Sequence, residues 1–299
     1  MNEQIPIDPV ASMIATLDLA DAGGARTTED IFTGPSQWMP HGRVYGGQVL
    51  AQCVMAATRT IENREIHSLH GYFLRPGDIN FPITFSVDRL RDGRSFSTRR
   101  VQAFQKGEPI FSMIASFQVA DDGLNHQIDM PGDLPAPETL PSAADLVGAL
   151  EHPKAQFWAR ARPFDMRHVG SPIYFSVEGE KVAHQAVWLK ALAPLPNDQA
   201  LHTAALAYVS DYTILESIYR RHGISWAHPG LSSASLDHAM WFHRPAKVDE
   251  WMLYVQESPS AQGGRGLALG RIYSRDGILL ATVAQEGMVR VPEIGRDSH

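Results

Sequence analysis

The sequence predicts an α+β protein made of two copies of one unit, each an antiparallel sheet with one buried helix. Three observations lead to this prediction. The phrase SLHGYFLRP at 68–76 returns as SLDHAMWFHRP at 235–245, so the chain contains nearly the same segment twice. Each half contains apolar and polar residues in alternation, interrupted by glycine-containing turns. Each half also has a run of apolar residues with helical spacing ahead of its alternating segments.

The strands are predicted from a period of two. In the segments 81–88 and 111–119 every second residue is apolar, and the residues between them are largely polar. This period, with aromatic and β-branched residues, is typical of strands with one buried face. Lys106-Gly107 and Asp276-Gly277 separate paired segments, which predicts hairpins and therefore antiparallel sheets.

One helix is predicted in each half. GGQVLAQCVMAATRTI at 46–61 is apolar on most sides, which predicts a helix enclosed by a sheet, with Cys53 as a buried small side chain. SDYTILESIYRRHG at 210–223 has apolar residues at helical spacing, and Gly223 is a natural C-cap.

Four prolines mark the segment between the two copies, ADDGLNHQIDMPGDLPAPETLPSAAD. They predict a linker at 121–160, with a short helix near 145–150, between an N-terminal domain at 1–120 and a C-terminal domain at 161–299. A sheet that curls around a central helix is a hot-dog domain, so the predicted fold is a double hot-dog.

Composition restricts the partners and the location. The net charge of -7 disfavours nucleic acid as a partner, because nucleic-acid-binding proteins normally present a basic patch. A single cysteine excludes an intrachain disulfide. The first residues do not resemble a signal peptide, the last four, RDSH, match no peroxisomal or ER-retention address, and no apolar run is long enough to span a membrane. We therefore expect a cytoplasmic protein.

Several well-known site motifs are missing. The chain has no G-x-S-x-G nucleophile elbow, no phosphate-binding P-loop and no H-E-x-x-H zinc motif. GGRGLALG at 263–270 leads into a predicted strand, so it is not a dinucleotide-binding loop. His70 follows His67 by three positions and His243 follows His238 by five, on predicted strands. Odd offsets place the two side chains of each pair on opposite faces of a strand. We expect neither a metal nor a cofactor.

The phrases GRVYGGQVLAQ, SLHGYFLRPGD, SLDHAMWFHRP and QEGMVR, in this order, resemble the type II acyl-CoA thioesterases, which include bacterial thioesterase II and its peroxisomal relatives. The resemblance covers about residues 15–291. It implies a double hot-dog fold and hydrolysis of acyl-CoA, without a cofactor, to a fatty acid and free CoA. It also implies a catalytic group of Asp211, at the start of the second-half helix, with Ser235 and Gln285. Some members of the family carry Thr where this chain has Ser235.

These three residue types suit direct attack by water on a thioester. An Asp can accept a proton if burial raises its pKa, and Ser and Gln side chains can orient the water. Each also has a structural interpretation: Asp211 as a helix cap, Ser235 as a plain strand residue and Gln285 as a strand polar group. The first copy lacks the acid and is predicted to be structural, and the role of Asp237 is not explained.

Two other functions stay open at this point. The first alternative is a hot-dog protein that binds or senses acyl-CoA without turning it over, but the complete set of three residues argues against this. A hydratase acting on enoyl-CoA ranks lower, because Asp237 and His238 lack the D-x-x-x-x-H spacing. Hot-dog sheets often pair edge to edge, so we expect a homodimer or homotetramer.

Overall fold

The structure is a computed structural model that describes residues 8–21 and 29–292. The terminal residues considered above for targeting signals, 1–7 and 296–299, lie outside the described residues. The helices are α1 (Pro9–Leu17), α2 (Gly46–Thr58), α3 (Ala143–Val147), α4 (Pro153–Gln156), α5 (Gln199–Ser210) and α6 (Glu216–His222). The strands are β1 (Ala20–Asp21), β2 (Asp30–Gly34), β3 (Glu65–Phe73), β4 (Ile83–Asp92), β5 (Phe96–Gln105), β6 (Glu108–Gln118), β7 (Phe164–His168), β8 (His184–Ala191), β9 (Ser232–Ser235), β10 (Asp237–Phe242), β11 (Met252–Gln262), β12 (Arg265–Ser274) and β13 (Leu279–Arg290).

These strands form one antiparallel sheet in the order β1-β2-β4-β5-β6-β3-β10-β13-β12-β11-β8-β7, with β9 paired to β13. The predicted alternation is confirmed: Ile83, Phe85 and Val87 are buried on β4, and the hairpin between β5 and β6 turns at Lys106-Gly107, both at positive φ. Gly277, at φ +85°, closes the second predicted hairpin, between β12 and β13. The sheet is therefore continuous across both halves of the chain.

The two repeated phrases form the seam of this sheet, where β3 and β10 pair antiparallel. Ser68 lies opposite Trp241 and Tyr72 lies opposite Asp237. The pairing is symmetric when the two phrases are aligned on their Arg-Pro ends, since that alignment matches Ser68 with Asp237 and Tyr72 with Trp241. The segment therefore occurs twice because the two copies pair with each other across a pseudo-twofold axis.

The first predicted helix is confirmed as α2, and its position explains its composition. All residues from Gly47 to Ala57 are buried, because β3, β4, β5 and β6 cover one side of α2 and α5 covers the other. Cys53 is fully buried, as expected. The packing of α2 against α5 joins the helices of the two halves beneath the seam.

The prediction for the second helix is wrong in its position. The segment 210–223 begins where α5 ends, continues as a turn at 211–215, and only then forms α6, which ends at the predicted C-cap Gly223 in left-handed conformation. Asp211 consequently follows the end of a helix and does not start one. The sequence hides α5 because nearly all of its residues are buried, which removes the amphipathic stripe that identifies surface helices.

The proline-rich segment packs as an irregular layer with short helical turns. Residues 119–136 contain no regular element, and the N-cap of α3 is Ser142, whose side chain forms a capping box with Asp145. α3 overlaps the helix predicted near 145–150 but begins two residues earlier. α4 continues into a single π-helical turn at Phe157–Ala161, and its aromatic residues form a small separate core with Tyr174. The domain boundaries at 120 and 161 stay predictions.

The structure explains Asp237. The partner of β13 changes from β9 to β10 at Leu236, where the strand is interrupted, and the Asp237 carboxylate accepts a hydrogen bond from the Glu286 backbone N–H at 2.6 Å. The first half has a register shift at the equivalent place, between Ile66 and Ser68. Asp237 therefore satisfies a backbone donor that the interrupted ladder would otherwise leave unpaired.

We expect Asp237→Ala to lower the free energy of unfolding by about 1–3 kcal/mol, because the half-buried Glu286 N–H would lose its acceptor. Asp237→Asn keeps an acceptor oxygen and should recover most of this loss. Chemical denaturation of the two variants beside the wild type measures the difference. Equal destabilisation by both substitutions would show that the hydrogen bond is not the cause.

Candidate active site

Asp211 lies where the two halves meet, at the C-terminal end of α5 and against the N-terminus of α2. A Cβ atom on Gly46 would stand 2.8 Å from the Asp211 Oδ2 atom, and a Cβ on Gly47 would collide with the Tyr208 carbonyl oxygen. The two glycines therefore permit the close approach of α2 to α5. The Gly47 backbone N–H donates a hydrogen bond to the carboxylate of Asp211, at the positive end of the α2 dipole.

The three residues that the family resemblance implies lie within hydrogen-bond distance of one another. The Gln285 amide nitrogen donates to Asp211 Oδ1 at 2.9 Å and to Ser235 Oγ at 2.8 Å. The Ser235 hydroxyl donates to the same Asp211 oxygen at 3.2 Å. Ser235 ends β9 and Gln285 lies on β13, so the pairing of β9 with β13 brings these distant parts of the chain together.

Burial makes Asp211 more basic than an ordinary carboxyl group. Desolvation raises its pKa to about 6, although the hydrogen bonds from Gln285, Ser235 and the Gly47 N–H act in the opposite direction. The residue keeps partial exposure to solvent. Asp211 is thus a carboxylate near neutral pH that can still accept a proton from a molecule beside it.

The sequence analysis missed two buried polar residues that continue this network, His238 and Ser210. His238 Nδ1 forms a short hydrogen bond with the Gln285 carbonyl oxygen, and His238 Nε2 lies 3.0 Å from Ser210 Oγ. Both side chains are fully buried, and desolvation lowers the pKa of His238 to about 4, so the imidazole is neutral. The alternation of β10 gave a signal, since it places His238 on the same face as the buried Met240.

The first half has apolar residues where the second half has this network. The Arg-Pro alignment matches His238 with Leu69, and Leu69 pairs with Ala115, which takes the place of Gln285. Leu69 and Ala115 are both fully buried. The expectation that the first copy is structural needs one correction, however, because its helix α2 supplies the N-terminus that faces Asp211.

A second network of buried polar side chains holds the turn at 211–215. The Gln256 amide donates to Thr213 Oγ1 at 2.6 Å, and the Gln185 amide donates to Gln256 at 2.7 Å and to Glu216 at 2.9 Å. Glu216 is fully buried and accepts from His168 at 2.9 Å, which lowers the pKa of the Glu216 carboxyl and opposes the effect of burial. The turn that presents Asp211 is therefore held by side chains of β8, β11 and α6.

Aromatic rings surround the site. Tyr45, which directly precedes Gly46, stacks on Tyr212 with 4.5 Å between ring centroids, and its hydroxyl donates to the Tyr208 carbonyl at 2.8 Å. The buried guanidinium of Arg162 also lies over the Tyr212 ring, 4.7 Å from its centroid. These contacts lock the residues that flank both Gly46 and Asp211.

Between residues 8 and 21 and between 29 and 292, no three His, Cys, Asp or Glu side chains lie close enough together to hold a metal ion. In the same ranges no helix has the length and apolar character that crossing a membrane requires.

Known proteins resemble the chain over nearly its whole length. The acyl-CoA thioesterase pattern matches residues 162–288, and the pattern of the acyl-CoA thioesterase N-terminal domain matches residues 34–118. Human acyl-coenzyme A thioesterase 8 is 40% identical over 88% of this chain and 85% of its own, and acyl-CoA thioesterase 2 of Haemophilus influenzae is 39% identical over 88% of this chain and 93% of its own.

Solved structures agree with these relatives. The crystal structure of acyl-CoA thioesterase II TesB2 from Mycobacterium marinum superimposes with a TM-score of 0.74 at 41% identity, covering 94% of this chain and 98% of that one. A hot-dog protein from Alicyclobacillus acidocaldarius, at 19% identity and a TM-score of 0.76, supports the fold. The predicted double hot-dog is confirmed, and the chain belongs to the acyl-CoA thioesterase family.

Proposed function

We propose that this protein hydrolyses acyl-CoA to a fatty acid and free CoA, by direct attack of a water molecule held by Asp211, Ser235 and Gln285. The observation that carries the proposal is the mutual contact of these three side chains at the junction of the two halves, within 3.2 Å of one another. The names of the relatives support the reaction, and the raised pKa of Asp211 supports its role as the base.

In the proposed reaction, Asp211 takes a proton from the water while the water oxygen bonds to the thioester carbonyl carbon. The tetrahedral intermediate then breaks its C–S bond, and the leaving CoA sulfur receives the proton that Asp211 holds. Ser235 and Gln285 contribute by fixing the carboxylate and the water in one orientation, which lowers the entropic part of the barrier. The N-terminus of α2, with its partial positive charge, is the nearest source of stabilisation for the oxyanion.

The first test is release of thiol from acyl-CoA by the purified protein, followed with a thiol reagent over a series from short to long acyl chains. Turnover at any chain length supports the proposal and also defines the preferred chain. Tight binding of acyl-CoA with no turnover across the series would instead identify a binding or sensing protein. The homodimer or homotetramer and the cytoplasmic location stay predictions from the sequence.

Asp211→Asn should lower kcat about 10²–10⁴-fold with little change in KM, because the amide cannot accept the proton of the water. The neutral Asn retains an oxygen that Gln285 and Ser235 can donate to, so we do not expect a loss of stability at pH 7. Asp122→Asn, at an exposed position, is the matched control and should keep wild-type activity. Wild-type kcat in Asp211→Asn would show that Asp211 is not the base.

The pH profile of kcat/KM should rise to a plateau with a midpoint near pH 6, since Asp211 acts as a base only when it has lost its proton and burial raises its pKa to about 6. An ordinary exposed carboxyl group would place this midpoint near pH 4. Initial rates at saturating and subsaturating acyl-CoA between pH 4.5 and about 8 measure the profile. A midpoint near pH 4 would contradict the assignment of the base.

Ser235→Thr should retain activity within about threefold, because the hydroxyl group and its bond to Asp211 are kept. Ser235→Ala removes the donor to Asp211 and the acceptor for Gln285, and should lower kcat at least about tenfold. Steady-state kinetics of the two variants distinguish the hydroxyl from the rest of the side chain. Equal activity of Thr and Ala would exclude a role of the hydroxyl in the reaction.

A further inference from the structure

The amide of Gln285 can act in the proposed reaction in only one of its two orientations. A primary amide has nearly the same shape after a half-turn about its terminal bond, but the turn exchanges its donor and its acceptor. Asp211 Oδ1 lies 2.9 Å from the amide nitrogen, and an ionised carboxylate can only accept. A turned amide would place its own oxygen against the carboxylate and would repel it.

His238 contacts the opposite end of this amide. Its Nδ1 atom is hydrogen-bonded to the Gln285 carbonyl oxygen, which can only accept, so Nδ1 must carry a proton. The imidazole is fully buried and neutral, and therefore its second nitrogen, Nε2, carries none. Ser210 Oγ lies 3.0 Å from Nε2 and 2.8 Å from the Ala207 carbonyl oxygen, so its single proton can be donated to either acceptor. The contact with the Gln285 carbonyl oxygen therefore requires the tautomer with its proton on Nδ1, and Ser210 supports this tautomer when its hydroxyl donates to Nε2.

We infer that His238 is a positioning residue that holds the Gln285 amide with its nitrogen toward Asp211 and Ser235. The inference rests on the proposed function. His238 does not lie among the three side chains that hold the water, and it acts on the reaction only through the orientation of Gln285.

The duplicated fold provides an internal comparison. At the positions equivalent to His238 and Gln285 the first half has Leu69 and Ala115, and both are fully buried in the same kind of sheet. Apolar side chains can therefore fill these positions in this fold. A histidine and an amide, each of which costs free energy to bury, occupy them only in the half that carries Asp211.

Three substitutions at His238 separate positioning from packing. In His238→Asn the side-chain nitrogen can take the place of Nδ1 and donate to Gln285, whereas in His238→Gln the nitrogen reaches the place of Nε2 and contacts Ser210 instead. His238→Leu copies the first half and supplies no donor. His70→Asn is the matched control, because His70 is an exposed histidine on the neighbouring strand of the same seam.

We expect His238→Leu and His238→Gln to lower kcat about 10–100-fold with KM unchanged, the usual range when a partner that orients a functional side chain is lost. His238→Asn should restore kcat to within about threefold of the wild type. His70→Asn should keep wild-type activity. In a Gln285→Leu background the His238 substitutions should have no further effect, since there is no amide to orient.

Equal losses in the Asn, Gln and Leu variants would overturn the inference, because a packing role would not distinguish the two amides. If these variants do not fold, ¹⁵N-NMR of the wild-type imidazoles decides: a neutral His238 with its proton on Nδ1 agrees with the inference, and a proton on Nε2 alone overturns it. A wild-type protein that does not hydrolyse any acyl-CoA would refute the proposed function. An active wild type whose Asn, Gln and Leu variants at His238 all have the same activity would refute only this inference.

Discussion

The contact between Asp211 and the N-terminus of α2 is the constraint on which the rest of the molecule depends. It joins the end of the second half's central helix to the start of the first half's central helix, where the carboxylate is buried and still receives hydrogen bonds. Gly46 and Gly47 are required there because any side chain would push the two helices apart. Neither half could build this contact alone.

The pseudo-twofold seam has opposite consequences for structure and for chemistry. Structurally it is symmetric, because β3 and β10 pair in a register that maps each strand onto the other. Chemically it is not, since Leu69 and Ala115 in one half correspond to His238 and Gln285 in the other. Duplication supplied two equivalent halves of the sheet, and the histidine and the amide are present in only one of them, where every donor and acceptor of Gln285 has a partner.

The same burial that stabilises the fold also tunes the site. A carboxyl group with a raised pKa favours its protonated form in the folded protein, so keeping Asp211 ionised at neutral pH costs stability. The surrounding residues offset this cost in two ways: direct hydrogen bonds reach the carboxylate, and the buried network from Thr213 to Glu216 fixes the turn that carries it. The direct hydrogen bonds and the network behind the turn thus reduce the cost of keeping a buried carboxylate ionised.

The sequence alone determined the class of the fold and its duplication, because these depend on local signals. The sequence itself shows the alternation along β4 and β6, the glycine at the hairpin turns and the repeated Arg-Pro phrase. The phrases shared with a known family also pointed to Asp211, Ser235 and Gln285. The sequence failed where burial on all sides removed the periodic signal: it missed α5 and placed a helix across the turn at 211–215.

Only the tertiary structure decided what these residues do for one another. His238 and Ser210 are 28 residues apart and Asp237 is linked to a backbone group 49 residues away, so no local pattern could connect them. The folded chain connects such residues, because the pairing of β10 with β13 places Asp237 beside Glu286 and His238 beside Gln285. Periodicity arises between residues that are close in the sequence, whereas a buried hydrogen bond can join residues that are close only in the folded protein.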